Sequence, residues 1–392
     1  MVPAPSESAA LPAGRVANMV QSDIRAMTRE CDAVGGINLG QGICDLPLPG
    51  LVRDGAVAAM DAGHNTYSYP EGARELRLAI AGKLARDNDI EADPDSEIVV
   101  TVGATGAFTA AVTALLDAGD GIVIPEPYYG YHLNAALLAG LVPQYLTLAA
   151  PRFTLTAAAL EEVVDERTRA IVLCTPSNPS GKMLSAGEID AVGRVAAAHD
   201  LLVITDEIYE YIRYDGREHI SPVTHPELAG RTVTIMGLSK TFSITGWRLG
   251  YAVAPPALAR AMTLVHDLYY VCAPTPLQVG AAAGFAAPPS FFADLALDYE
   301  EKRGLLGNAL TAAGLTPIVP EGAYYMLADV TRLNCASAKE AALRLLREVG
   351  VASVPGSSFY RGSAGDGLVR FCYAKEMDVL AEACGRLAAF KP

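Results

Sequence analysis

Lys240 and Arg248 stand eight positions apart in Ser239-Lys240-Thr241-Phe242-Ser243-Ile244-Thr245-Gly246-Trp247-Arg248, a segment with no other charged residue. A lysine is a nucleophile only when neutral, and shelter from water or a cationic neighbour lowers its pKa toward that state. An arginine nearby offers a planar fork of donors that fits a phosphate. The pair suits a lysine that bonds covalently to an aldehyde carrying a phosphate, and pyridoxal phosphate has both groups. A solvated surface loop is the competing reading of the same ten residues.

Other residues have types that would complete such a site. Asp206 follows an apolar run, in Thr205-Asp206-Glu207-Ile208-Tyr209. It reads either as a helix cap or as the carboxylate that keeps a pyridine nitrogen protonated and the ring an electron sink. Val102-Gly103-Ala104-Thr105-Gly106 follows a strand pattern and opens a helical one, where bare N–H groups and the helix dipole seat a phosphate. Small residues there would equally serve close packing. Asn178, between Pro176 and Pro179, is a fixed donor or part of an ordinary turn. The aromatic cluster Pro127-Tyr128-Tyr129-Gly130-Tyr131 is core, or a stacking partner for a flat ring. Arg370 sits in the apolar run Leu368-Val369-Arg370-Phe371, so it must pair with an internal carboxylate or with a ligand's. Ser180-Gly181-Lys182 is not a nucleotide P-loop: Met183 lacks the hydroxyl and Pro176 replaces the first glycine.

These residues need a scaffold, and the pattern supplies one. Glu97–Val102, Ile122–Ile124, Ala170–Cys174, Leu201–Thr205, Thr232–Met236 and Leu249–Val253 read as strands, several as unbroken apolar runs suited to a parallel sheet buried on both faces. Helical patterns run from about Thr105 to Leu116 and from Ser185 to His199, the second opened by a Ser185/Glu188 capping box. The expectation is an α/β fold, a mostly parallel sheet flanked by helices, with Gly103–Thr105, Thr175–Asn178, Asp206 and Lys240 all beyond strand ends, where such sheets bind ligands. Helices at Ser290–Ala313 and Ala338–Val349 and strands at Ala323–Leu327 and Leu368–Cys372 predict a smaller α+β domain. The expected division is 1–48, an N-terminal segment packing with the small domain, 49–287, a large cofactor-binding domain, and 288–392, with Pro288-Pro289 as hinge.

Composition narrows the function classes. The 392 residues are 51% hydrophobic and 19% charged, a globular balance large enough for two domains. A net charge of −14 argues against nucleic acid as a partner. The seven cysteines show no paired spacing and read as reduced thiols of a cytoplasmic protein, and the six histidines show no metal-type spacing. No stretch reaches the length of a membrane span, and the opening MVPAPSESAALPAG, expected to be loose, lacks the marks of a signal peptide.

Taken jointly and in order, these motifs resemble the fold-type I pyridoxal-phosphate-dependent aminotransferases of class I/II, from about Ile37 to the C-terminus. The resemblance implies that Lys240 bonds to the cofactor and later moves the substrate proton. It implies that Arg248, with Gly103, Ala104, Thr105 and Ser239, holds the phosphate and that Asp206 pairs with the ring nitrogen. Asn178 and Tyr209 would donate to the ring's phenolic oxygen, and Tyr129 would stack on the ring. Arg370 would bind the substrate α-carboxylate, with Gly42, Asn178 and Tyr129 beside it. Leu39-Gly40-Gln41-Gly42 would be the segment that closes over substrate. Tyr67 would reach the phosphate of a partner subunit, which implies a homodimer with shared sites.

Departures from the pattern bear on substrate. Gly237 stands where many relatives carry a phosphate-binding serine, and Thr105 where some aspartate-using relatives carry a lysine. No second arginine for an acidic side chain is evident. Apolar Ile43 and Leu46 and aromatic Tyr269-Tyr270 fall in segments that line the substrate side in relatives. The expected activity is transfer of the α-amino group of an L-amino acid, neutral, aromatic or sulfur-bearing more than acidic, to a 2-oxo acid such as 2-oxoglutarate or pyruvate. The alternative on the same fold is β- or γ-elimination, replacement or cyclisation. A non-enzymatic regulator would need a DNA-binding extension or basic segment, and neither is seen.

Overall fold

The computed structural model describes residues 13–17, 19 and 23–391. The opening segment, residues 1–12, lies outside the described residues. Seven strands form the main sheet: β1 Ile98–Val102, β2 Gly121–Glu126, β3 Val142–Thr147, β4 Thr168–Cys174, β5 Leu202–Asp206, β6 Thr232–Gly237 and β7 Leu249–Val253. Their spatial order is β1-β7-β6-β5-β4-β2-β3. All neighbours pair in parallel except β7, which is antiparallel to β1 and β6.

Successive side chains of the central strands go to opposite faces, and both faces are covered. Ile122, Ile124, Val172, Ile204 and Val233 pack on one face with Ala107, Phe108 and Ala111 of helix Gly103–Leu115. Val123, Ile171, Leu173 and Val203 pack on the other with Ile189, Val192 and Val195 of helix Ala186–Ala198. This is why the strands read as unbroken apolar runs: neither face meets water. The second helix starts where the capping box predicts. Ser185 Oγ accepts from the Glu188 N–H at 3.3 Å and Glu188 Oε2 accepts from the Ser185 N–H at 2.9 Å. Edge strand β3 has no counterpart in the sequence reading, because Pro143 and Gln144 interrupt its apolar run; an edge tolerates that proline.

A second sheet, β8 Thr316–Ile318, β9 Tyr325–Asp329, β10 Val354–Pro355 and β11 Leu368–Cys372, is antiparallel in the order β10-β11-β9-β8. Strand β9 begins two residues later than the apolar pattern suggests. Ala323 has φ +59°, outside strand geometry. Helix Pro289–Ala312 contributes Tyr299, Leu306 and Leu310 to the core behind this sheet. The segment before the main sheet joins the same body: Ile37 and Asn38 pair in parallel with Val351 and Ala352, and the Leu39 carbonyl accepts from the Cys372 N–H at 2.6 Å. Met27 and Cys31 of helix Asp23–Val34 are buried there as well. Among the described residues, no helix is long and apolar enough to cross a membrane.

Candidate active site

The carboxyl ends of β4, β5 and β6 and the segment Gln41–Ile43 surround a cavity of about 400 Å³. Strand β5 ends on Asp206, which is 7% exposed. No helix follows it, so it is not a helix cap. Asp206 Oδ2 lies 2.9 Å from His132 Nε2. His132 is itself fixed, stacked on Phe108 at 4.4 Å and edge-on to Tyr129 at 5.3 Å. Two neighbouring helices thus hold a buried carboxylate at a strand end.

Lys240 lies on the helical turn Leu238–Thr241 directly after β6. Its Nζ donates to the Gly42 carbonyl at 3.3 Å and stands 5.4 Å from the Tyr324 ring centroid. Burial pushes its pKa down to about 8; Arg248 adds to the shift, while Cys372, Cys44 and Asp206 oppose it. The amine is therefore far easier to neutralise than an ordinary lysine. The Gly42 carbonyl also accepts from Tyr324 OH at 3.2 Å. A Cβ at Gly42 would fall 2.0 Å from Tyr325 OH, so this close approach requires glycine.

Arg370, in β11, is 1% exposed. Its Nη1 donates to Asn178 Oδ1 at 2.8 Å and its Nη2 to the Gly40 carbonyl at 2.6 Å. Its Nε has no partner, and no carboxylate pairs with it among the described residues. The guanidinium lies 4.3 Å from the Tyr325 ring centroid. Of the two readings of this arginine, an internal carboxylate partner is thereby removed. Because Asn178 Oδ1 is taken, the amide turns its NH₂ to other acceptors. Tyr209 OH is 3.1 Å from Tyr325 OH, and burial raises the pKa of Tyr209 and Tyr129, keeping both phenols protonated.

The remaining predicted residues gather at one end. Gly103 opens its helix at φ +69°, and a Cβ there would lie 2.6 Å from Arg248 Nη2. Only glycine lets the guanidinium lie on this turn. Arg248 is itself left-handed at φ +57° and donates to the Thr245 carbonyl at 3.0 Å. Ala104, Thr105 and Ser239 line the same cavity. Gly237 packs against Ile208: a Cβ there would lie 2.6 Å from Ile208 Cδ1, so that side chain would have to turn aside. Tyr67 is not brought into this cavity. It is 80% exposed, in a separate hollow with Cys272 and Thr275. Ile43 lines the cavity, whereas Leu46 packs against the core, and Tyr269 and Tyr270 are exposed on helix Pro256–Tyr270.

Sequence reasoning passed over His132, Tyr325 and Arg25, all in the cavity wall. His132 had a usable signal: it follows Tyr129 by three residues, one helical turn on the same face. Tyr325 and Arg25 are brought in by tertiary packing alone.

The residues present fit a phosphorylated pyridine aldehyde. A lowered-pKa lysine, a buried carboxylate and a cationic turn surround one space, and a buried arginine there lacks an anion. Comparison with known proteins agrees. Residues 34–387 match the family model described as aminotransferase class I and II. An aspartate aminotransferase of Pyrococcus abyssi is 37% identical, the match covering 90% of each chain. An aromatic-amino-acid aminotransferase of Thermococcus litoralis is 34% identical, covering 93% of this chain and 94% of that one. The solved structure of an Escherichia coli protein with a methionine aminotransferase function superposes with a TM-score of 0.93 at 32% identity, covering 96% and 99%. The chain belongs to the class I and II aminotransferase family, whose members are pyridoxal-phosphate-dependent enzymes.

Proposed function

We propose that the cavity binds pyridoxal 5'-phosphate and moves the α-amino group of a neutral, aromatic or sulfur-bearing L-amino acid to a 2-oxo acid such as 2-oxoglutarate or pyruvate. The observation that carries this reading is Arg370: a buried arginine with a free Nε and no carboxylate partner among the described residues, in one cavity with Lys240. Bound pyridoxal phosphate would supply an electron sink for the pair left at the substrate Cα. This chain's residues do the rest. Arg370 holds the substrate α-carboxylate, and Asn178, oriented by Arg370, donates from its amide together with Tyr209. Asp206, steadied by His132, keeps the ring nitrogen protonated. Arg248 and the Gly103–Thr105 turn with Ser239 hold the phosphate. Tyr129 flanks the ring, and Gly42 lies over the substrate side. Lys240 Nζ would be the attachment point for the aldehyde and, once displaced by the substrate amine, would take the proton from Cα.

The proposed assembly is a homodimer in which Tyr67 serves the partner's phosphate. Exposed Tyr67 and Tyr69, and Leu264 and Leu268 on helix Pro256–Tyr270, support it, since large apolar side chains left to water are candidates for a protein contact. The proposed hinge stays at Pro288-Pro289, supported by helix Pro289–Ala312 joining the core of the second sheet. The free state of all seven cysteines supports a cytoplasmic location.

Lys240→Ala tests the centre of this reading. The variant should lose the cofactor's visible band on dialysis and all turnover; full transamination by it would overturn the assignment. Mixing the native holoenzyme with an amino acid alone tests the reaction type. One equivalent of pyridoxamine phosphate supports transfer, whereas continuous ammonia release supports side-chain elimination.

A further inference from the structure

Tyr324 has no task under the proposed function, yet it meets Lys240 twice. Lys240 Nζ stands 5.4 Å from the centre of the Tyr324 ring. It donates to the Gly42 carbonyl at 3.3 Å, and the same carbonyl accepts from Tyr324 OH at 3.2 Å. Among the described residues that carbonyl is the one hydrogen-bond acceptor of Nζ. The titratable groups facing Nζ are Cys372, Cys44, Arg248 and Asp206, and Asp206 is engaged by His132 instead.

Both ends of this contact are fixed. Tyr324 is fully buried, directly before strand β9. The carbonyl before it, that of Ala323, accepts from Tyr373 OH at 3.0 Å and from Tyr214 OH. Its own carbonyl accepts from the Tyr373 N–H at 3.1 Å. The ring meets Tyr209 edge-on at 5.1 Å and lies 5.6 Å from Tyr299. Burial raises its pKa well above the usual phenol value, so the hydroxyl keeps its proton and donates. Gly42 is tied on either side along the chain. Arg370 Nη2 donates to the Gly40 carbonyl, and Cys44 Sγ lies 3.1 Å from Tyr299 OH and 3.2 Å from Ser243 Oγ.

The arrangement suits a lysine that alternates between a covalent bond and a free amine. A carbonyl has two lone pairs. When Nζ is bonded to an aldehyde carbon it leaves Gly42, and a buried carbonyl without a donor is costly. The Tyr324 hydroxyl keeps that carbonyl paired throughout, so the segment need not move to find a new donor. When the substrate amine displaces Nζ, the free amine returns to the second lone pair. One N–H is then engaged by Gly42, and the lone pair of the nitrogen is left for the Cα proton. The Cα–H bond breaks, an N–H bond forms on Nζ, and the electron pair left at Cα enters the cofactor's electron sink. Nζ is then an ammonium, and an aromatic face within about 6 Å attracts it.

We infer that Tyr324 is a positioning residue for the proton transfer at Lys240: its hydroxyl holds the Gly42 carbonyl as the seat of the free amine, and its ring stabilises the ammonium that forms there. This rests on the proposed function and adds to it a residue that touches neither cofactor nor substrate.

Two variants divide the roles: Tyr324→Phe removes the hydroxyl and keeps the ring, and Tyr324→Leu removes both. The first measurement mixes the holoenzyme with L-methionine, or with L-methionine deuterated at Cα, and follows the loss of the visible band in a single turnover. In Tyr324→Phe the limiting rate should fall by about 2- to 12-fold, the range for one hydrogen bond. The isotope effect should grow, and half-saturation should stay where it is. A native rate and isotope effect in Tyr324→Phe would overturn the inference, as would a loss confined to half-saturation. The second measurement takes the full chain freed of cofactor and follows the pH dependence of pyridoxal phosphate attachment, which needs the neutral amine. The native midpoint should lie near the Lys240 pKa of about 8. Tyr324→Leu should lower it by about 0.4–1.5 pH units, the range for a lost contact between a cation and a ring, and Tyr324→Phe should lower it less. A Tyr324→Leu midpoint at or above the native one would remove the ring's part. If none of L-methionine, L-phenylalanine and L-glutamate bleaches the native band, the proposed function fails. A lowered Tyr324→Leu midpoint would then still place Tyr324 over the reactive amine, and an unmoved one would remove it from both.

Discussion

The inner wall and the mouth of the cavity differ in how their polar groups are held. At the inner wall Asp206, Asn178 and Arg370 are each buried, and each has a hydrogen-bond partner: His132 for Asp206, and the Arg370–Asn178 pair for one another. They stand on or just beyond strands β5, β4 and β11, whose registers are locked by neighbours on both sides. At the mouth Arg25 and Ile43 are exposed, and they come from a helix and a loop that precede the main sheet. Buried polar groups are tolerated only when paired, so the wall is fixed before any substrate arrives. The mouth carries no such constraint. Under the proposed function the chemistry falls to the wall, and the choice of side chain to residues whose replacement costs the fold little.

The sharpest way to break this contrast is at Arg370. Arg370→Met removes the proposed α-carboxylate partner and leaves Asn178 Oδ1 without its donor. Truncating one member of a buried, hydrogen-bonded charge pair costs about 2–5 kcal/mol, which is a rise in KM of roughly 30- to 5,000-fold for every amino and 2-oxo acid. The cofactor's visible band should remain. Loss of the band instead of substrate affinity would mean that Arg370 serves the cofactor.

His132 tests whether the wall depends on residues one layer back. His132→Leu leaves Asp206 Oδ2 without its neighbour. A hydrogen bond to a charged group is worth about 1.5–3 kcal/mol, so kcat should fall by roughly 10- to 150-fold while KM moves much less. His132→Gln, which can still donate, should recover part of the loss. Equal losses in kcat/KM and in thermal stability, with no recovery by Gln, would reduce His132 to a packing residue.

What the sequence disclosed follows the same division. The strands of the main sheet were legible because burial on both faces makes them uniformly apolar, as in Ala170–Leu173. Asp206, Asn178 and Lys240 were legible because each interrupts the apolar pattern at a strand end, where a polar residue needs a reason. Arg370 was legible as a charge inside a strand. Arg25 was not: a charged residue in an amphipathic helix looks like any solvated face, and only the docking of its helix, tied at Thr28 to Asn38, brings it to the cavity. Gly237 looked like a lost phosphate ligand, and the structure shows Ile208 packed against it.

Behind the phosphate end, His266 gives a pH signature of the wall. It is buried, and its Nε2 accepts from the Val102 N–H at 3.0 Å, just before the Gly103 turn. Burial lowers its pKa to about 4. The unfolded chain takes up a proton near 6.5 and the folded chain does not until about 4. Stability is therefore complete above pH 6.5 and is lost as pH falls from there toward 4. The loss between pH 7 and pH 5 should be about 2 kcal/mol, read from urea midpoints, and His266→Gln should flatten that part of the curve. A native curve with no slope there would remove His266 as the acceptor of the Val102 N–H.

At the mouth the effects should be smallest and selective. Ile43 is 38% exposed, so even a well-fitted donor side chain buries only part of its apolar surface against it. Removing a few methylene contacts at about 0.8 kcal/mol each, discounted for that exposure, gives a fall of roughly 3- to 10-fold in kcat/KM for aromatic or sulfur-bearing donors in Ile43→Ser. The loss should fall on donors with long apolar side chains and spare those with short ones. The variant should not shift the cofactor band. A uniform loss across all donors in Ile43→Ser would show that the Gln41–Ile43 loop sets the position of Gly42 over Lys240, and the mouth would then be part of the wall.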